Sequence, residues 1–190
     1  MIIHMTEIRD VRKYYDGIYS IYARRAKLSK DPTAKIPSAT GKAVARLVIA
    51  LLWLGLAVFA NLVRAVRDTN YILTWVMTGL VGSIVILSAV QLIAFTRRVR
   101  TAKKTPSDAY LTVDENGVTL DNRVSQQITA LLWADVQCII VTKNIVCFLT
   151  YFQKNAPNKM SLCCDITYKD EILAAVEQCG YGHLIVVKKK

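Results

Sequence analysis

The stretch LLWADV, residues 131–136, places a carboxylate, Asp135, two positions from a tryptophan, Trp133. A carboxylate beside an aromatic wall raises the question of acid catalysis. Catalysis needs partners, and the other candidate groups are Asp121, Ser125, Ser161 and Cys163. None of them stands in a recognisable nucleophile–base–orienter spacing. His183 is the one histidine in the second half of the chain, and it precedes a terminal strand, where an edge role is the commoner one. Gly117, Gly180 and Gly182 are isolated or terminal, so no glycine-rich phosphate loop is present. The five cysteines, Cys138, Cys147, Cys163, Cys164 and Cys179, are odd in number and contain no C-x-x-C. They read as small apolar filler in a reducing compartment, without zinc-ligand spacing. No catalytic, cofactor-binding or metal-binding residue is assigned, and the chain is not expected to be an enzyme. Trp133 and Asp135 are instead read as a structural corner. The indole would plug the open end of a small sheet, and the carboxylate would bond backbone N–H groups of the turn.

The elements that hold this corner come with an unequal charge distribution. Residues 1–104 carry 17 Lys/Arg against 5 Asp/Glu, a balance of +12; residues 105–190 carry 8 against 9, a balance of −1. A basic chain invites nucleic acid. Here, however, the positive charge brackets apolar runs, the pattern of a membrane protein, and no nucleic-acid partner is expected. Between Arg46 and Arg64 lie 17 residues without a charge, and between Asp68 and Arg97 lie 28. At about 1.5 Å per residue, a helix needs ~20 residues to cross ~30 Å of hydrocarbon. Transmembrane helices are expected at 43–63 and 71–96, joined by the short segment RAVRDTN. Ten Lys/Arg lie up to and including Arg46, and five lie in RRVRTAKK after the second run. That balance predicts a multi-pass protein of the cell membrane, a helical hairpin with both termini in the cytoplasm. Gly79, Gly82 and Ser83 are candidates for close helix packing. No Asp, Glu, Lys or His lies within either run, which argues against a proton relay or ion carrier.

Residues 1–30 read as an amphipathic helix. Ile8, Val11, Tyr15, Ile18 and Tyr22 recur on one face, widened by Tyr14, Tyr19 and Ile21, with Gly17 as a weak point. Two packings fit equally: against lipid headgroups, which suit tyrosine and Lys/Arg, or against protein. Residues 31–42, with Pro32, Pro37 and Gly41, read as a linker.

From 105 to 190 the texture becomes that of short strands. AYLTV-DENG-VTL reads as a hairpin turned at Asn116–Gly117, and QCIIVT-KN-IVCFLTYF as a second one. KMSLCCD is a further strand. TYKDEILAAVEQCG is a helix with Ile172, Leu173, Val176 and Cys179 on one face and Gly180 at its end, and HLIVV is a last strand. The expected fold is therefore α+β: a two-helix transmembrane hairpin and a small antiparallel, pleckstrin-homology-like (PH-like) domain of about six strands, closed by one C-terminal helix.

Two apolar helices, a basic connector, Y-L-T-V-D-E-N-G-V, a later W-A-D-V, paired strands and a closing helix together resemble the YcxB-like family of bacterial membrane proteins. The resemblance covers roughly residues 43–180 and is carried by Tyr110, Gly117, Trp133, Asp135 and Val136. The family usually has isoleucine at the position of Val136, and MSLCCD departs from its pattern before the helix. The resemblance implies the architecture but no defined reaction.

The functional expectation is a membrane-anchored interaction or regulatory module with an unidentified cytoplasmic protein partner. The first hairpin carries Asp114 and Glu115, which disfavours recognition of anionic lipid by this domain. The alternative is a small oligomeric membrane effector or pore, with homo-oligomers assembled from the hairpins. Under either reading no cofactor is expected.

Overall fold

The computed structural model describes residues 1–65, 72–105, 107–151 and 161–188, apart from the side chains of 64–65 and 72–74. The connecting segment 66–71, the whole of the segment QKNAPNK and the last two lysines thus lie outside the described residues. The chain forms two compact units: Pro37–Arg100, and a discontinuous unit of Met1–Ile36 with Thr101–Lys190.

The helical unit is mostly apolar, with its charged residues towards the helix ends. It consists of a helix over Ala39–Ala65, which becomes α3 in chain order after two short N-terminal helices, and a helix α4 over Ile72–Lys104. The Ser38 hydroxyl accepts from the Gly41 amide at 2.9 Å and so caps the first turn of α3. The helical start at Ala39 absorbs the end of the expected linker. Likewise the basic connector RRVRTAKK continues α4. Both helices are long and apolar enough to cross a membrane. Large side chains stay uncovered along them: Leu52 is 65% exposed, Phe59 66% and Trp75 59%.

The second unit holds two four-stranded sheets. The first comprises β1 (Ile2–Met5), β2 (Ala109–Val113), β3 (Gly117–Asn122) and β4 (Gln127–Leu132), antiparallel and in that order. The second comprises β5 (Val136–Val141), β6 (Ile145–Thr150), β7 (Leu162–Asp165) and β8 (Ile185–Val187), in the order β7-β6-β5-β8. Helix α5 (Lys169–Gln178) leads from β7 towards β8 and lays Ile172, Ala175 and Val176 on the core. It ends in a Schellman motif. Gly180 has φ +83°, its amide bonds to the Glu177 carbonyl at 2.9 Å, and the Tyr181 amide bonds to that of Val176 at 3.1 Å.

Three features differ from the sequence-based expectation. First, residues 2–5 are not part of a helix. They form β1, whose Ile3 pairs with Leu111 of β2 and joins the core. Second, the sheet is not wholly antiparallel: β8 runs parallel to β5, because α5 carries the chain across before it returns. Third, residues 105–190 share their compact unit with Met1–Ile36.

The N-terminal segment acts as a strap. Helix α1 (Val11–Tyr22) is capped by the Asp10 carboxylate, which accepts from the Lys13 amide at 3.1 Å. A short helix α2 (Arg25–Leu28) follows. Ile21 and Leu28 share a second core with Cys138, Ile140, Ile145, Cys147 and Leu149, and Tyr14 and Ile18 pack beside them. Of the two packings open to α1, this is the one against protein. Gly17 has a reason in this contact: a Cβ there would lie 3.1 Å from the Ile145 side chain, so glycine lets the helix sit close on β6. The strap is then tied down along its length. Gln137 Nε2 donates to the Ser29 carbonyl at 2.5 Å, and Lys188 Nζ donates to the carbonyls of Pro32 and Ala34.

Candidate functional site

The corner begins with Gly117 at the start of β3. A Cβ on it would lie 2.1 Å from the Leu131 carbonyl oxygen, so only glycine lets β3 meet β4 here. Gly117 has no positive φ. The hairpin is turned instead by Asp114, whose Oδ1 accepts from the amides of Asn116 at 2.8 Å and Gly117 at 3.0 Å. The asparagine–glycine pair that signalled the turn therefore serves a close backbone approach, not a left-handed turn.

Trp133 and Asp135 lie in a 3-10 turn, Trp133–Asp135, that connects β4 of one sheet to β5 of the other. Trp133 is buried, stacks on Tyr181 with ring centroids 4.3 Å apart, and donates its indole N–H to the Asp114 carbonyl at 2.7 Å. That contact joins the first hairpin, the corner and the chain just past α5. Asp135 contributes its backbone carbonyl, which accepts from the Tyr151 amide at 3.2 Å. Among the aspartates whose side chains cap nearby amides are Asp10, Asp31, Asp114 and Asp165, the last accepting from Thr167 N at 2.9 Å. Val136 is buried beside the corner, and Tyr110 stacks on His4 on the outer side of the first sheet, with the Arg123 guanidinium 4.4 Å from its ring centre.

The groups that could have supported catalysis are distributed over the unit. Asp121 lies on β3 and Ser125 in the turn after it, whereas Ser161 and Cys163 lie at β7 in the other sheet. Ser161 accepts, through its carbonyl, the Tyr22 hydroxyl at 3.3 Å. His183 is exposed. Among the described residues, no three His, Cys, Asp or Glu side chains are grouped to hold a metal ion. A cleft of about 800 Å³ is lined by two cations and two carboxylates, Arg9, Lys103, Glu7 and Asp170, over an apolar floor that includes Ile8 and Ile166.

All five cysteines are free thiols. Burial pushes the Cys138 thiol up to about 11 and raises that of Cys164 further. The Cys147 thiol is raised well above its usual value, first by its sulfur contact with Cys163 and then by burial. Burial also raises Tyr14, whose hydroxyl donates to the Cys163 carbonyl at 2.9 Å. Two tyrosines read as suited to a headgroup interface, Tyr14 and Tyr22, thus spend their hydroxyls on the edge of the second sheet.

In the helical unit, a Cβ placed on Gly79 or Gly82 would meet nothing within 4 Å, and Ser83 donates back to the Leu80 carbonyl of its own helix at 2.7 Å. A hydrogen bond between α3 and α4 lies elsewhere, where Asn61 Nδ2 donates to Thr78 Oγ1 at 2.7 Å. No family model, no curated protein and no solved structure matches this chain.

Proposed function

We propose that the protein is a two-pass integral membrane protein whose helical hairpin anchors a cytoplasmic, PH-like module that binds another protein. One observation carries this reading. The residues before the two apolar helices, Met1–Ile36, fold into one unit with the residues after them, Thr101–Lys190. If the two helices span a bilayer, chain segments that share a core must lie on the same side of it. The Lys/Arg bias makes that side the cytoplasm. The uncovered apolar surface of α3 and α4 calls for a lipid environment, because water does not tolerate such a continuous patch. A PH-like relationship is supported by two sheets meeting at a corner with a helix packed on their shared core, and membership of the YcxB-like family by Tyr110, Gly117, Trp133, Asp135 and Val136.

Protein binding is favoured over catalysis by the edge of the first sheet. Among the described residues, strand β4 has no strand on its outer side, and on this strand Ile128 is 71% exposed and Leu132 59%. An extended peptide adding to that edge would gain main-chain hydrogen bonds and cover both side chains. Two experiments test the reading. Reporter fusions at residues 68 and 190 should report opposite sides of the membrane, and agreement between them would refute the hairpin. A photo-crosslinker at Ile128 in native membranes should capture a discrete protein, and capture of lipid alone would refute the binding role. The open faces of Gly79 and Gly82 favour a second reading, an oligomeric effector or pore. That reading requires Gly79→Leu to dissolve a detergent-stable oligomer.

A further inference from the structure

The strap covers a pair of thiols placed directly opposite each other. Cys147 of β6 and Cys163 of β7 are register partners in an antiparallel ladder, and their sulfurs are 3.0 Å apart. Both belong to the second core, beneath α1, whereas Cys164 faces the first core, as the alternation of a strand requires. Cys147 is fully buried and Cys163 is half-buried, so Cys163 is the more exposed residue of the pair. The pair also sits on an edge: among the described residues, β7 is the terminal strand of its sheet and is paired only with β6.

We propose that Cys147 and Cys163 are a reversible redox site, in which a peroxide converts the thiol pair to a cross-strand disulfide that staples the edge strand β7 to β6. The sulfur of Cys163, the more exposed residue of the pair, attacks the peroxide oxygen. It becomes a sulfenic acid and releases one water from hydrogen peroxide. The Cys147 sulfur then attacks the Cys163 sulfur, the S–S bond forms, and the sulfenic hydroxyl leaves with the Cys147 proton as a second water. Two thiols lose two electrons in total, and one hydrogen peroxide becomes two waters. Directly opposed residues of a ladder hold their Cβ atoms about 4.5–5.5 Å apart, whereas a relaxed disulfide prefers ~3.8 Å. Closure therefore draws the two strands together, and a bond under that tension is readily reopened by a dithiol. In a reducing compartment this is the behaviour of a sensor and not of a permanent crosslink. The consequence falls on the strap, because Tyr14 hydrogen-bonds the carbonyl of Cys163 itself.

The test uses the full chain in detergent or native membranes, treated with hydrogen peroxide and then alkylated. Peptide mapping is expected to find Cys147 linked to Cys163, with the intact mass reduced by two hydrogen atoms and restored by dithiothreitol. Hydrogen exchange at Leu162–Cys164 is expected to slow by at least about tenfold in the oxidised protein, because the crosslink suppresses opening of the edge strand. Full alkylation of both residues after peroxide, or oxygen added to Cys163 without a crosslink, overturns the proposal. Unchanged exchange in the crosslinked protein overturns the stapling. Cys163→Ser should abolish the linked peptide, while Cys179→Ser, outside the pair, should leave it in place. Mapping of the unmodified chain decides the question even if Cys163→Ser fails to fold.

Discussion

The two sheets of the discontinuous unit are built from strands of similar length but are covered differently. In the first sheet, β2 alternates: Ala109, Leu111 and Val113 are buried, and Tyr110 and Thr112 between them are partly open. In the second, all six residues of β6 are buried, so Phe148 faces one core and Leu149 the other. The first sheet needs one layer on it. The second needs two, and the N-terminal strap is the outer one. A one-sided sheet keeps a face and an edge for a partner, whereas a two-sided sheet has already used both faces for folding.

The largest test of that contrast is removal of residues 1–36. It takes away β1, uncovers Ile140, Ile145, Cys147 and Leu149, and leaves the C-terminal part without its second layer. The expected loss exceeds the ~5–15 kcal/mol that holds a typical domain together, so denaturant titration should find no cooperative transition. A cooperative transition of normal amplitude would show that the strap is dispensable. Next in size, Phe148→Ala and Leu149→Ala should each cost about 3–4 kcal/mol, although they are neighbours pointing opposite ways. If only one of them destabilises, the second sheet has a single covered face. Gly117→Ala should cost about 2–3 kcal/mol, because its Cβ meets a backbone carbonyl that cannot move aside cheaply. Substituting the exposed Leu132 by Ala should change stability by no more than about 0.5 kcal/mol while weakening crosslinking at the β4 edge.

The sheets also differ in what titrates. Cys138, Cys147 and Cys164 lie on the second sheet, each with its thiol raised. For Cys138 the sign is direct. The folded protein keeps the proton that the unfolded chain gives up, so the contribution to stability is complete below about 9.0 and is lost as pH rises towards about 11. Stability measured across that window should fall, and Cys138→Ala should flatten the fall. An identical slope in the variant would assign the alkaline loss to other groups.

Much of this organisation was legible locally. The two uncharged runs, the hairpins on either side of the corner and the glycine that ends α5 each announce themselves within a short window. The alternation in AYLTV even states which face is covered. Other features were not legible, because their cause lies far away in the chain. Ile3 is a strand residue only because Leu111 offers it a ladder, and IIHM carries no signal of that by itself. The continuous apolar run IVCFLT signals that both faces of β6 are covered, but it does not name the cover. Lys188, just past the last strand, folds back on the carbonyls of Pro32 and Ala34, a contact that nothing in its local sequence signals. In the helical unit, Gly79, Gly82 and Ser83 have the spacing of a packing motif. Among the described residues, a Cβ on Gly79 or Gly82 would meet nothing within 4 Å, and Asn61 bonds Thr78 between α3 and α4.

The sequence by itself determined the two long apolar helices, the mixed helix-and-sheet character and the strand boundaries around the corner. Those depend on hydrophobic period and turn chemistry, which act over a few residues. Tertiary structure alone decided that the first 36 residues share a core with the last ninety, that Gly17 and Gly117 are spaces kept for another backbone or side chain, and that two cysteines sixteen positions apart stand sulfur to sulfur. Each of these depends on which distant surface is brought close, and a one-dimensional pattern of residue types does not encode that distance.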